Sequence, residues 1–249
     1  MFRHHGKTRT LSHNLKVASL LSFVAGIVNV GGFLAVQRLT TNVTGHFAFF
    51  VDEVFKLNPL QSFIYFLYIF FFFLGSFVSG LLTEMVARTN ERLIYVAPVI
   101  TESIILLTLG ILTPEFVKNH PDIIAFSLLF AMGLQNSLVT TISNAVVRTT
   151  HLTGLFTDLG IEISQLFFYK SRKQKHQLSS AIQLRLTIIS FFFLGGITGG
   201  ILYSRLTLHM LVLASVFLMT GLVYDNIKFR VIQLRRRYRD GKTGNLQQK

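Results

Sequence analysis

Two polar phrases interrupt an otherwise apolar chain. Residues 40–47 read Thr-Thr-Asn-Val-Thr-Gly-His-Phe and residues 149–156 read Thr-Thr-His-Leu-Thr-Gly-Leu-Phe, each just after a long hydrophobic run. Hydroxyls at Thr41, Thr44, Thr150 and Thr153, with backbone amides left accessible at Gly45 and Gly154, can meet a polar or anionic ligand. The same residues can instead make a Thr/Gly turn into an interfacial helix, with the hydroxyls bonded to local backbone. Asn29, Gln135 and Asn136 are amides inside apolar runs, suited to solute contact or to hydrogen bonds between helices. Arg148 and Asp158 flank the second phrase; Arg148 can hold an anion or pair with Asp158 or Glu162. His46 can titrate or serve as a hydrogen-bonding ring. Glu102 sits in the middle of the run 93–113, four residues after Pro98. A carboxylate at that depth costs at least ~2.5 kcal/mol, so it must be protonated, paired or facing water. It reads as a proton- or cation-coupling group, or as a neutral carboxyl bonded to a neighbouring helix.

The elements that would position these groups are membrane helices. The chain has 249 residues, 51% hydrophobic and 14% charged, with 25 phenylalanines. A soluble domain needs far more charge to cover its surface. Runs at 15–36, 60–83, 93–113, 123–145, 182–203 and 206–225 reach or approach the ~20 residues that cross a hydrocarbon core as helix. The alternation of a lipid-facing barrel is absent, which leaves helices. The net charge of +13 is unevenly spread. With six spans and the N-terminus inside, 20 basic residues fall on the cytoplasmic side and only Arg38, Lys56, Lys118 and Arg205 on the other. Both termini are therefore expected in the cytoplasm. No aromatic-lined basic groove accompanies the charge, so nucleic acid is not the expected partner. There is no cysteine, which removes disulfides and thiolate metal sites. The first 14 residues are basic and the first run lacks a small-residue cleavage site, as in a retained first span.

The phrases belong to a longer repeat. "FVAGIVN" (23–29) matches "FAMGLQN" (130–136), "TNVTGHF" (41–47) matches "THLTGLF" (150–156), and "FFFLGSFVSGLL" (71–82) matches "FFFLGGITGGIL" (191–202). The order is the same in both halves, so the chain reads as a duplicated three-helix unit. Three is odd, so the halves are inverted in the membrane, a device common among secondary transporters. The expected organisation is a basic cytoplasmic N-terminus (1–14), a first repeat (15–113), a second repeat (123–225) and a basic cytoplasmic tail (226–249). Gly31-Gly32 and the Ser137–Ser143 region are expected to weaken their helices, each Thr-Gly phrase marking a broken or re-entrant segment. The small residues Gly75, Ser79, Gly80, Gly195, Gly196, Gly199 and Gly200 should let helices two and five pack closely, against each other across the pseudo-twofold axis.

Quoted together, "AGIVNVGGF…TNVTGHF" and "GLQNSLVTTISNAVVRTTHLTGLFTDLG" resemble the YoaK family, bacterial six-helix inner-membrane proteins grouped under a domain of unknown function. The likeness runs from about Leu15 to Asp225, with His46 where the family commonly has Asn. It implies a fold and a location, the bacterial cytoplasmic membrane, but no activity. The residues themselves carry no His-x-x-x-His, P-loop or Gly-x-Ser-x-Gly signature, so no catalytic residue, metal or cofactor is expected. Two functions stand. One is a small transporter or permease for a polar or anionic solute, bound at the repeat interface. The other is a non-transporting scaffold that binds proteins or lipids through its glycine faces and tail. The tail "KFRVIQLRRRYR" alternates apolar and basic residues and suits the anionic inner leaflet at ~1 kcal/mol per basic residue. Homo-oligomers are compatible with either function.

Overall fold

Every regular element among the described residues is helical. The computed structural model describes residues 2, 10–90, 93–225 and 227. Arg3, Lys7, Arg9 and Arg92 and the tail from 228 onward, on which part of the charge count and the leaflet contact rest, lie outside the described residues. The elements are α1 (Leu11–Val36), α2 (Val43–Phe55), α3 (Pro59–Asn90), α4 (Val96–Gly110), α5 (Pro114–Asn119), α6 (Pro121–Ser143), α7 (Leu152–Phe168) and α8 (Arg172–Leu206). A 3-10 turn at Thr207–His209 leads into α9 (210–225).

Four continuous segments are long and apolar enough to cross a membrane: Leu11–Val36, Pro59–Asn90, Pro121–Ser143 and Arg172–Asp225. Their surfaces agree with a lipid solvent. On α3, Phe63, Phe66, Phe70, Phe73 and Phe77 form one exposed stripe at helical spacing. Meanwhile Ser22, Thr40, Glu102, Gln135 and Thr149 are fully enclosed. Polar groups inside and phenylalanines outside invert the pattern of a water-soluble domain.

The fourth segment reverses direction at its 3-10 turn. Gly26 abuts Phe192 and Gly199 abuts Ile27, so α8 runs parallel to α1. Gly31 meets Met210, whereas Phe23 packs edge-on against Phe217 at 5.4 Å, so α9 runs the opposite way. Ser215 donates to the carbonyl of Ser103 (2.8 Å), and Gly110 abuts Val212, which sets α4 antiparallel to α9. At 15 residues α4 is shorter than the expected run 93–113, and α9 begins later than 206. Helix α3 instead continues past its expected end at 83 to Asn90.

The glycine faces correct one expectation. Those on α3 and α8 do not meet each other. Gly75 lies against the backbone of Phe130 on α6, and Gly133 against Phe72 on α3. Gly195 lies against the backbone of Phe23 on α1, and Gly26 against Phe192 on α8. In each case an added Cβ would come within 3.0 Å of backbone atoms. The two seams use corresponding residues, since Phe23 and Phe130, and Phe72 and Phe192, occupy matching places in the paired sequence phrases. Helix α3 thus packs on α6, and α8 on α1. Gly80 takes no part, having open space where a Cβ would project.

Gly31 and Gly32 do not break α1 either, and α6 is continuous through Ser137–Ser143. The missing side chain of Gly31 admits Met210, and that of Gly32 admits Thr40 and Leu128, so packing outweighs the helix penalty of ~1 kcal/mol per glycine. The breaks come at Gln37 (φ 53°) and Asn144 (φ 54°), left-handed caps at equivalent places in the two halves.

Candidate functional site

After each cap the chain folds back along the helix it has just left. Thr40 Oγ1 donates to the carbonyl of Val28 (3.1 Å), and Thr41 Oγ1 to Asn29 Oδ1 (2.6 Å). In the second half Gln135 Nε2 donates to Thr149 Oγ1 (3.2 Å), Thr149 Oγ1 to Asn136 Oδ1 (3.2 Å), and Asn136 Nδ2 to Thr150 Oγ1 (2.8 Å). These are matching threonine–asparagine brackets. Val28 lies eight residues before the end of α1, so the first bracket carries the start of α2 about 12 Å back along the bundle. Thr40 and Thr149, the first threonines of each pair, are wholly buried. The doubled Thr-Thr was the available signal for them.

The brackets approach the middle of the bundle from opposite ends. Gln135 Nε2 also reaches the carbonyl of Leu21 on α1 (3.1 Å), whereas Thr40 and Thr41 reach Val28 and Asn29. Seven residues of helix, about 10 Å, separate these levels. Thr44 and Thr153 are exposed in the first turns of α2 and α7. Asn42 Oδ1 caps α2 by accepting from the Gly45 amide (3.0 Å). An added Cβ at Gly45 would strike Leu39, and one at Gly154 would strike His151. The structure thus joins Asn29 to Thr41 and Gln135 and Asn136 to Thr149 and Thr150, but does not bring the two Thr-Gly pairs together.

Buried polar atoms without a partner among the described residues include Ser22 Oγ on α1, Gln135 Oε1 on α6, and Ser103 Oγ with both oxygens of Glu102 on α4. Glu102 is 0% exposed. It is enclosed by protein rather than turned to lipid, and no cation stands against it among the described residues. An unsatisfied carboxyl in a dry interior is expensive unless it stays neutral.

At the end where α1 finishes, a polar cluster joins four elements. Tyr68 on α3 donates its hydroxyl to Asp122 on α6, and Arg38 Nε donates to the same hydroxyl (3.2 Å). Arg38 also stands 3.5 Å from Asp122. His46 on α2 packs its ring 4.5 Å from that of Tyr68 and donates Nε2–H to the carbonyl of Leu39 (2.6 Å). Its Nδ1 is buried without a partner. Burial holds His46 below its ordinary range, and the Leu39 carbonyl opposes that while Arg38 adds to it. Sequence reasoning did not single out Arg38, Tyr68 or Asp122; the signal was a tyrosine written into a run where phenylalanine would serve.

At the opposite end Asp158 pairs with Arg185 of α8 (3.1 Å), not with Arg148. Arg185 also meets Glu162 at 3.1 Å, yet burial raises the Glu162 carboxyl, Arg185 opposing this and Asp158 adding to it. Arg148 is exposed and makes no ion pair among the described residues. The reason is helical register: Asp158 and Glu162 are four apart on α7 and face α8, whereas Arg148 precedes the helix.

Comparison with known proteins fits this architecture. The family model described as "Protein of unknown function (DUF1275)" matches residues 17–224. The UPF0700 transmembrane protein YoaK of Bacillus subtilis (strain 168) is 28% identical over 182 residues, covering 72% of this chain and 79% of that protein. No solved structure matches the chain. With the family model spanning both brackets, both glycine seams and all the long apolar helices, this chain belongs to the DUF1275 family, as a multi-pass membrane protein.

Proposed function

We propose that the protein is a small, non-enzymatic secondary transporter of a polar or anionic solute, with Glu102 as its proton- or cation-coupling group. In this reading α1, α3, α4, α6, α8 and α9 are six spans arranged as two inverted three-helix repeats. The observation that carries it is the Glu102 carboxyl, wholly buried with neither oxygen bonded among the described residues. A neutral carboxyl is the form such an interior tolerates, and ionising it requires water or a cation to arrive. That makes it a group whose charge can follow opening of the bundle. The exchanged glycine seams and paired brackets support the inverted arrangement, because equivalent residues fill equivalent roles in both halves. Brackets that lead α2 and α7 back toward the middle support re-entrant segments.

The scaffold reading loses its main surface. Gly75, Gly195 and Gly199 are consumed by α6 and α1 inside the fold and offer little to an outside partner. The charge bias supports the cytoplasmic membrane with both termini in the cytoplasm, and the basic tail suits anionic headgroups. Purified protein in liposomes, given an inward proton gradient and a mixture of small polar metabolites, tests the proposal through an internal pH dye. Solute-dependent proton entry is expected, and Glu102→Gln should abolish it while eluting as a folded monodisperse species. Equal flux from Glu102→Leu would remove the coupling role, and no flux under gradients of either direction would remove the transport reading.

A further inference from the structure

A second feature lies apart from Glu102 and from the brackets. Where α1 and α8 end and α6 begins, a cavity of about 380 Å³ opens between the two halves of the chain. Its size lies at the small end of the range for small-molecule sites. Lys118 lines it as the sole charged residue, and no acid does. Lys118 is exposed at the mouth of the cavity and Tyr203 is half-buried in its wall, and neither makes an ion pair or side-chain hydrogen bond among the described residues, so both can meet a ligand. Val36 and Val117 supply apolar wall.

The backbone adds an independent observation. Gln37 and Thr207, which line this cavity, both have positive φ (53° and 51°); for Gln37 that is the left-handed cap of α1, whereas Thr207 ends α8. Thr207 pairs that φ with ψ −136°, a region ordinarily left to glycine and especially hostile to a β-branched residue. Glycine would reverse the chain there at no steric penalty. Threonine at this turn places its methyl and hydroxyl at the cavity rim, with the hydroxyl donating to the Leu206 carbonyl (2.7 Å).

The geometry points to a binding site for a small monocarboxylate with a short apolar body. One ammonium with an adjacent phenol matches one negative charge, the valine wall matches an alkyl or branched body, and the lack of a second cation disfavours dianions. As a port for a transported solute the site rests on the transport reading. Binding, however, is measured in detergent without flux, so its failure leaves the Glu102 test untouched.

The chain has no tryptophan, so Phe116→Trp on α5, beside the cavity, would be its only indole. Titration of that protein with butyrate should change its fluorescence saturably, while 1-butanol, butylammonium and inorganic phosphate should not. Lys118→Gln should weaken butyrate roughly tenfold or more, as loss of one charge-assisted hydrogen bond implies. Thr207→Gly should melt higher than the parent yet bind butyrate less well. The parent chain, followed by circular dichroism, should melt higher with butyrate and not with butanol, which keeps the test open if the reporter does not fold. Equal responses to butyrate and butanol, preference for phosphate, or unchanged butyrate affinity in Lys118→Gln would each overturn the site.

Discussion

Replacing Gly75 by alanine adds one methyl group where α3 meets α6 backbone to backbone. The new Cβ would fall within 3.0 Å of the Phe130 carbonyl and must reach about 3.4 Å, the edge of ordinary contact, to be accommodated. Phe130 cannot swing aside, because the obstacle is its main chain inside a continuous helix. The helices must therefore part, and the seam from Tyr68–Phe126 to Ser76–Gly133 loosens with them. Overpacking of this kind costs about 3 kcal/mol when backbone is the obstacle. Alanine returns roughly 1 kcal/mol of helix propensity, leaving a net loss of about 2 kcal/mol. For a chain of this size that is a fall in melting temperature of roughly 4–8 °C. Gly80→Ala is the internal control: it gains the same propensity and meets nothing within 4 Å. Purified variants in one detergent, followed by the helical circular-dichroism signal, should show Gly75→Ala melting below the parent and Gly80→Ala at or above it. Gly75→Ala with Gly133→Ala should be less than additive, because both open one seam, whereas Gly75→Ala with Gly26→Ala should add. Equal shifts at positions 75 and 80 would refute the close α3–α6 approach.

Topology can be read without a background, since the chain has no cysteine. An impermeant thiol reagent on intact cells should label Asn119→Cys and Thr44→Cys, but Ser179→Cys and Thr153→Cys only after permeabilisation; labelling of 44 and 153 from one side would end the inverted model. His46, packed on Tyr65 and Tyr68 beside Arg38, which itself pairs with Asp122, is held below its ordinary value of 6.5, so the unfolded chain takes up its proton first as pH falls. Stability should be full above about pH 7 and decline below it toward the folded value, with His46→Gln flattening that slope in melts between about pH 7 and 5. An identical slope in the variant would clear His46 of the effect. A double-mutant cycle on Asn136→Val and Thr150→Val should give a coupling of roughly 0.6–1.7 kcal/mol. Zero coupling would mean the bracket contributes no stability.

Much of this protein is legible in the order of its residues. Apolar runs near the length of a bilayer core, with few charges to spare, leave helices in lipid as the one economical structure. The internal sequence match was visible too, because its paired phrases keep the same glycines and threonines in the same order. Gly26 and Gly133, or Asn29 and Asn136, announce equivalence without announcing what each one touches.

Partners were the part that residue order withheld. Small-residue faces on helices two and five fit any close-packed neighbour, and only the folded chain decides that Gly75 meets Phe130 and Gly195 meets Phe23. Charge pairing was equally open, because Arg148 and Arg185 are both within chain reach of Asp158; the α7–α8 register selects Arg185. The cluster of Arg38, Tyr68 and Asp122 spans residues 30 and 54 apart, distances over which local pattern carries no information. Periodicity tells a helix which face to bury because that depends on its own sequence. Which helix buries it, and whether a carboxyl such as Glu102 ends beside a partner or alone, depends on every other helix at once.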